Sequence, residues 1–343
     1  MAKCLVGTRV RITSPAFFSR LLAQFALGLI RGKAPYGEVL SGYACSNHVP
    51  RILFTKLFKP PLHHQTMNWE ITPEVKTLPR LNNPLLIEGL PGIGNVGKIA
   101  VDFLLEELKA VKLYSFFSHK YPHSVFVNDQ NLVEIPKIEM YYKKFNGKAQ
   151  GDKGNQGNKN PENRRDLLLL TGDIQPIDEE SCYSFCEEVL KIAKHFNCRE
   201  IITTGGIGLQ YVPEKPKVYS TSNSAILLKD YLETMPIEKK IFGVVGPIVG
   251  VSGILLGLGK KRDVPGVALL AETFGHPLYL GVKGAQEILK VLEQKFALGL
   301  NLQKMGKEII RIEQELMKKT KEWAHIAEQA GAKARQKEAG YIG

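Results

Sequence analysis

The residues best placed to do chemistry form a glycine-rich turn, Gly92-Ile-Gly94-Asn-Val-Gly97-Lys98. It stands between a short apolar run and an amphipathic stretch, so a strand should lead into it and a helix should follow. Free backbone N–H groups at such a helix N-terminus can bind phosphate, and dinucleotide-binding turns have the same Gly-x-Gly-x-x-Gly form. Nucleotide binding is therefore the first functional hypothesis.

Both nucleotide motifs are incomplete in this chain. A dinucleotide-binding turn needs an Asp or Glu roughly 20 residues further on to hold the ribose, but residues 112–118 carry no acid. A phosphate loop needs Ser or Thr after the lysine to bind Mg²⁺, and Ile99 occupies that position. The sequence favours a tight structural turn without a cofactor and leaves a nucleotide or nucleoside site at this turn as the alternative.

Three further groups of residues have types suited to catalysis or metal binding. Ser252 lies in Gly250-Val-Ser-Gly-Ile, close to a nucleophile elbow whose last glycine is replaced. Cys182 and Cys186 share one helix face, but no second cysteine pair accompanies them, so packed core cysteines are favoured over a metal site. Glu272 and His276 are acid–base candidates by position, with a turn histidine as the more common interpretation. We expect neither a catalytic set nor a metal site.

Apolar runs and helical patterns alternate along the chain, which predicts an α/β domain. Predicted strands are Leu85–Ile87, Val111–Ser118, Val125–Val127, Leu132–Ile135, Lys137–Phe145, Asp166–Leu170, Glu200–Thr204, Val218–Thr221, Ile241–Val245 and Val267–Thr273. Predicted helices are Val96–Leu108, Ile177–Phe196, Asn223–Leu232, Ile254–Leu258 and Gly284–Leu298. The regular alternation in the second half indicates a largely parallel sheet covered on both faces. We predict one three-layer α/β/α domain over residues 67–300.

Two segments differ in composition from this domain. Residues 1–66 hold nine Lys or Arg and one acid, Glu38, and so carry +8 of the chain's +12 charge. We expect this basic leader to lie outside the fold, with Met67 as a candidate true start. Residues 146–165 are almost wholly Gly, Asn, Lys, Gln, Asp, Glu and Arg, which predicts a disordered loop.

Composition also limits the surroundings and partners of the chain. Five cysteines form no even, regularly spaced set, which favours a reduced, cytoplasmic setting. No apolar run approaches the roughly 20 residues of a membrane span, so no membrane association is expected. Outside the leader the net charge is only +4. We therefore expect no nucleic-acid partner.

The composition changes again from Asn301 onward, where apolar residues recur every three, four or seven positions among Lys, Glu, Arg and Gln. This pattern predicts a long, coiled-coil-like helix to Ala334, followed by a flexible basic end. Its stripe should pack on the α/β body or on a second copy of itself. The stripe consists of Met305, Ile309, Ile312, Leu316, Trp323, Ile326 and Ala330, with Lys319 or Thr320 where an apolar residue is due.

The motifs in residues 82–300, taken together, resemble the archaeal proteasome assembly chaperone family, to which an ATP-grasp label is sometimes attached. The opening turn Glu88–Lys98 fits the family pattern. So do Thr204-Gly-Gly-Ile-Gly208, Gly250-Val-Ser-Gly-Ile-Leu-Leu-Gly-Leu-Gly259 and Ala268-Leu-Leu-Ala-Glu-Thr-Phe-Gly-His-Pro-Leu-Tyr-Leu280.

This resemblance implies a three-layer fold similar to nucleoside phosphorylases without their catalytic residues. It also implies a homo-oligomeric, ATP-independent chaperone that binds proteasome α-subunits or their rings. Family members that engage the proteasome end in a hydrophobic residue, Tyr and any residue. This chain ends Gly340-Tyr341-Ile342-Gly343, with Tyr third from the end and Gly before it. The resemblance thus makes Tyr341, Ile342 and Gly343 the candidate partner-binding residues on a tethered arm.

Overall fold

The computed structural model describes residues 69–303, apart from 129, 146–164, 244 and 278, together with residue 306. Its central strand is β2 (Leu85–Gly89), in which every residue is buried. Leu85, Leu86 and Ile87 are each 0% exposed, as expected for a strand covered on both faces. This confirms the prediction of a buried strand that leads into the glycine turn.

The remaining elements alternate along the chain much as the apolar pattern predicts. The other strands are β1 (Glu70–Pro73), β3 (Val111–Phe117), β4 (Phe126–Val127), β5 (Val133–Glu134), β6 (Ile138–Lys143), β7 (Leu167–Gly172), β8 (Glu200–Leu209), β9 (Val218–Ser222) and β10 (Gly266–Phe274). The helices are α1 (Val96–Leu108), α2 (Glu179–His195), α3 (Ala225–Thr234), α4 (Val251–Lys261) and α5 (Val282–Phe296).

Eight of these strands form one sheet in the order β1-β3-β6-β7-β2-β8-β10-β9. Its centre, β7-β2-β8-β10, is parallel, and the flanking pairs are antiparallel. β4 and β5 form a separate antiparallel hairpin between β3 and β6. The predicted antiparallel hairpin is confirmed. The prediction of a largely parallel sheet holds only for the four central strands, because β1, β3, β6 and β9 pair in antiparallel fashion.

Helices cover both faces of the sheet and create two buried clusters. Leu85 and Ile87 belong to a cluster with α1 and α5, whereas Leu86 belongs to a cluster with α2 and α4. β7 alternates in the same way, with Leu167 in the first cluster and Leu168 in the second. Because side chains alternate along a strand, one apolar run supplies both cores. The result is a mixed α/β fold of three layers.

Local sequence explains why the helices begin where they do. Asp178 caps α2, since its side chain accepts a hydrogen bond from the backbone N–H of Ser181 at 2.8 Å. Glu179 and Glu180 occupy the first turn, and Lys194 lies in the last turn, which suits the helix dipole. α1 has no side-chain cap, because its first residues follow directly from the glycine turn.

Two predicted elements need correction. The predicted strand Ile241–Val245 is wrong: Phe242 makes only an isolated bridge with Val245, and its side chain is 90% exposed. Both edges of β10 are already paired, with β8 and β9, so this segment has no parallel neighbour to join. The first helical residue of α4 is Val251 rather than Ile254, and the sequence pattern missed β1 altogether.

Several predictions fall outside the described residues. These are the basic leader of residues 1–66, nearly all of the loop 146–165, and the C-terminal stripe with Ile309, Ile312, Leu316 and Trp323. The likeness to nucleoside phosphorylases also stays a prediction. Within the part of the chain that the structure describes, no helix has the length and apolar character needed to cross a membrane.

Candidate functional site

The glycine turn packs tightly against β8. A Cβ on Gly97 would lie 2.3 Å from the carbonyl oxygen of Thr204, and one on Gly89 would lie 2.3 Å from the carbonyl oxygen of Gly97. Gly94 has a φ of +60°, a conformation that L side chains rarely adopt. These glycines let α1 approach the central strands closely. The turn therefore has a packing function whether or not it binds a ligand.

Lys98, the candidate phosphate ligand, makes an ion pair inside the fold. Its Nζ lies 2.9 Å from Asp102 Oδ2, one helical turn further along α1, and the Lys98 residue is only 6% exposed. Thr171 on β7 donates a hydrogen bond of 2.7 Å to the other carboxylate oxygen of Asp102. This network neutralises the lysine charge that a phosphate would need.

A crevice of about 420 Å³ opens beside the turn, where β2 and β8 end. After β2 the chain passes to β3 on one side of the sheet, returns through β7, and then crosses to β8 on the other side. Ligands in open α/β sheets bind at such topological switch points. The residues that line the crevice include Leu90, Gly92, Ile93, Gly206, Val249 and Ser252.

Glu88 is the acid near this crevice whose pKa is shifted most, and the sequence pattern did not single it out. Its carboxylate is fully buried and accepts hydrogen bonds from the Leu90 N–H at 3.0 Å and from Ser252 Oγ at 2.8 Å. Burial raises the pKa of Glu88 to about 7, although both hydrogen bonds oppose the shift. An acidic residue within a fully apolar strand was the signal that could have drawn attention to it.

The side chain of Gln175 links the two sides of the crevice through hydrogen bonds. Its Nε2 donates to the Pro91 carbonyl at 2.8 Å, and its Oε1 accepts from the Val251 N–H at 3.2 Å. These two hydrogen bonds fix the position of the glycine turn relative to the start of α4. Ser252 lies in the first turn of this helix, and its hydroxyl donates the hydrogen bond to the Glu88 carboxylate.

The structure places the remaining sequence candidates in packed positions. Cys182 and Cys186 are buried in α2, where a hydrogen bond between them and burial raise the pKa of Cys186 well above that of an ordinary thiol. Glu272 accepts hydrogen bonds from the Lys217 N–H and the Tyr219 hydroxyl, at 3.0 and 3.1 Å. The ring of His276 stacks on that of Phe274.

No group of three or more His, Cys, Asp or Glu is placed to hold a metal ion in the residues that the structure describes. The candidate partner-binding residues Tyr341, Ile342 and Gly343 lie outside those residues. The glycine turn is thus the part of the predicted site whose geometry is defined, and the structure adds the crevice beside it.

One family model matches most of this chain. The sequence profile of the PAC2 family matches residues 86–320. An uncharacterized protein of Methanocaldococcus jannaschii is 30% identical over 262 residues, which cover 76% of this chain and 93% of that protein.

Two solved structures of Pyrococcus furiosus proteins have the same fold. PbaB, described as an archaeal proteasome activator, is 30% identical with a TM-score of 0.62, and the match covers 74% of this chain and 98% of PbaB. PbaA, described as an archaeal homolog of proteasome-assembly chaperone, is 23% identical with a TM-score of 0.55, over 79% of this chain and 99% of PbaA. At that lower identity, PbaA supports the fold alone.

Proposed function

This chain belongs to the PAC2 family, and on that premise we propose that it is a non-enzymatic, ATP-independent assembly chaperone that binds proteasome α-subunits. The observation that carries the proposal is the 30% identity with PbaB over 98% of that proteasome activator. Because the match covers 74% of this chain and nearly all of PbaB, proteasome-related partners are its simplest functional consequence.

The chemistry of the crevice supports a binding protein over an enzyme. The Ser252 hydroxyl donates to the buried Glu88 carboxylate, so the hydroxyl and carboxylate that could react satisfy each other inside the fold. Glu272 is likewise engaged by Lys217 and Tyr219. In this proposal these polar groups hold strands and helices together, and recognition belongs to the surface of the protein.

The nucleotide alternative is less favoured because of Lys98. A phosphate at the turn would have to draw this lysine away from Asp102, leaving the buried carboxylate without its cation. Removing one partner of a buried ion pair is costly, on the order of 3–5 kcal/mol. The close contacts of Gly97 with Thr204 already account for a glycine at that position.

We assign docking on α-subunits to the C-terminal arm. A short segment ending in Tyr341-Ile-Gly343 combines one aromatic anchor with a free carboxylate, which suits a pocket that is apolar inside and basic at its rim. Tethering the segment to a larger body raises its effective concentration at the target. The apolar stripe that precedes it, from Ile309 to Trp323, would position the arm by packing on the body or on a second copy.

The test is binding of proteasome α-subunits to the full chain and to a variant lacking Tyr341–Gly343. We expect the deletion to weaken binding at least about tenfold, since a central aromatic anchor typically contributes 2 kcal/mol or more. The melting temperature and the oligomer size should not change. Tyr341→Phe should retain most of the binding, and Lys337→Ala on the same arm is the matched control.

Different outcomes overturn different parts of the proposal. Unchanged binding by the deletion variant would refute docking through the arm. Failure of the intact chain to bind α-subunits at all would refute the function. A rise in melting temperature with ATP, NAD or a nucleoside that Lys98→Met abolishes would instead favour the nucleotide alternative.

A further inference from the structure

The strand β8 continues beyond the point where its neighbour β2 ends. β8 pairs with β10 as far as Leu209 beside Phe274, but its pairing with β2 stops at Thr203 beside Glu88. After β2 the chain leaves the sheet and enters the glycine turn. The crevice lies along the part of β8 that β2 leaves uncovered, because residues 205–208 line it. We call the side of these residues that faces away from β10 the open edge of β8.

Two hydrogen bonds show which main-chain groups point from the open edge into the crevice. The Ile201 N–H donates to the residue before β10 at 2.9 Å, and the Leu209 carbonyl accepts from the residue after β10 at 2.7 Å. Odd-numbered residues of β8 therefore bond toward β10. Successive residues of a strand between parallel neighbours bond to alternate sides. Gly206 and Gly208 thus direct their N–H and C=O groups toward the crevice.

These main-chain groups have the spacing of a strand and lack a strand beside them. β8 has β2 and β10 as its neighbours, and the register with β2 ends before Gly206. Within the described part of the chain, no loop or side chain forms a hydrogen bond with Gly206 or Gly208 on the crevice side. A row of free N–H and C=O groups along a strand is matched by the main chain of another extended segment.

We propose that the crevice binds an extended, uncharged peptide segment, which adds to the open edge of β8 as a strand. Among the described residues that line the crevice, none has a charged side chain. An acidic or basic peptide would therefore lose hydration there without gaining an ion pair, and a phosphate group would find no cation. This inference does not depend on the arm that ends in Tyr341 or on binding to α-subunits.

The two faces of the open edge differ, which determines the side chains that the peptide should carry. On one face the glycine turn lies directly against β8, since a Cβ on Gly206 would be 2.3 Å from the Ile93 carbonyl oxygen. On the other face Ile207 and Leu270 form an apolar cluster, with Ile248 packed against it. Side chains of an added strand alternate between the faces, so we expect small residues to alternate with aliphatic ones.

Fluorescence anisotropy with the full chain tests the proposal. The probe is a hexapeptide amide of alternating Ala and Val with an uncharged dye at its N-terminus, and we expect saturable binding with a Kd below about 1 mM. Two N-methylated versions, one with methyl groups on the Ala amides and one on the Val amides, are the matched controls. Amides of alternate residues point to opposite edges of a strand, so only one version keeps its donors to β8. The other should bind at least about tenfold more weakly.

Substitutions in the protein test the same site independently. Gly208→Pro removes an N–H that points into the crevice but no bond to β10, so it should weaken binding of the hexapeptide at least about fivefold. Gly208→Ala keeps that N–H and should bind within about twofold of the wild type. Val249→Asp would put a charge on the crevice wall, at a side chain that is 83% exposed, and should also weaken binding at least about fivefold without changing the melting temperature. Phe242→Asp is its control, because Phe242 is 90% exposed and is not among the crevice-lining residues.

Three results would overturn the proposal. The first is no binding of the hexapeptide at about 1 mM, a concentration at which even weak strand addition is measurable. The second is equal binding of the two N-methylated versions, which would exclude main-chain pairing. The third is binding that Gly208→Pro and Val249→Asp both leave unchanged, which would place the peptide elsewhere. ATP or a nucleoside that binds where the hexapeptide does not would assign the crevice to a small ligand instead.

Discussion

The glycine turn and the β4–β5 hairpin differ in what they bury: charged side chains are buried beside the turn, whereas apolar side chains are exposed on the hairpin. Beside the turn, Lys98, Asp102 and Glu88 are buried and meet their hydrogen-bonding partners inside the fold. At the hairpin, Val127 and Val133 extend into solvent. Internal satisfaction of charged groups indicates a structural role, whereas the exposed valines contribute little to the core of this chain.

The residue types of the turn and its packing point to different roles. The turn looks like a binding site because its residue types match phosphate-binding patterns, yet its glycines are explained by close contacts such as that of Gly97 with Thr204. The hairpin matches no binding motif and differs from the turn in having its valines exposed. Breaking the turn should therefore reduce stability, whereas polar substitutions of the exposed valines should leave it nearly unchanged.

The largest loss of stability is expected when the buried ion pair is broken on one side. Asp102→Ala would leave Lys98 almost fully buried without a counter-charge and Thr171 without its acceptor. We expect the free energy of unfolding to fall by about 3–5 kcal/mol, measured by urea denaturation.

The matched control replaces both charges at once. Lys98→Met with Asp102→Leu removes the pair without stranding a charge, and should recover most of the stability lost in Asp102→Ala. If the double variant were as unstable as the single one, the pair would not be the cause. A loss below about 1 kcal/mol in Asp102→Ala would place Lys98 effectively in water.

A smaller loss is expected from adding one methyl group to the turn. A Cβ at position 97 would meet the Thr204 carbonyl oxygen at 2.3 Å, and that backbone atom cannot move without shifting β8. Gly97→Ala should therefore lower the free energy of unfolding by about 3 kcal/mol, at the upper end of overpacking effects. Gly92→Ala in the same turn is the control, since no atom lies within 4 Å of its added Cβ. Equal effects of the two changes would contradict the packing role of Gly97.

Much of the fold could be predicted because its elements have strong local patterns. The predicted helix Val96–Leu108 has the same bounds in the structure, since its apolar residues recur at helical spacing after a run of glycines. Ile241–Val245 has an equally apolar pattern but forms no strand, because whether a strand has a free neighbour depends on the whole sheet. β1 was missed because Glu70–Pro73 is short and carries little alternation.

The site was harder to predict than the fold. Lys98 and Asp102 are four residues apart on a predicted helix, a spacing that permits an ion pair, but whether that helix face is buried cannot be read from spacing alone. The hairpin strands were predicted, with Val125 and Ile135 at their outer ends. Which side of them faces solvent depends on how Phe126 reaches the protein body, which is a tertiary property.

Among these substitutions, the smallest change in the free energy of unfolding is expected for Glu88→Gln, and this change should depend on pH. Its pKa is raised from 4.5 to about 7 by burial, so the folded state binds more protons than the unfolded state between these two values. Stability should therefore fall as pH rises from about 4.5 to 7 and then level off. A shift of this size corresponds to roughly 3 kcal/mol at 1.36 kcal/mol per pKa unit. Glu88→Gln removes the ionisation but perturbs the hydrogen bonds to Leu90 and Ser252, so we expect a gain of about 1–2 kcal/mol at pH 8 and little change at pH 5.

Glu139 provides a control of opposite sign. Burial opposes its ionisation, but hydrogen bonds from Lys112 and Tyr141 outweigh that effect and lower the pKa of Glu139 below its usual value. Its ionised form therefore stabilises the fold above the unfolded-state pKa, and this contribution is lost as pH falls through the lowered value. Glu139→Gln should destabilise the protein to a similar extent at pH 5 and pH 8, in urea titrations run beside those of Glu88→Gln. A stability difference for Glu88→Gln that does not change between these pH values would show that Glu88 keeps an ordinary pKa. In that case the carboxylate beside the turn would have to be solvated, and the contrast between a sealed turn and an open hairpin face would no longer hold.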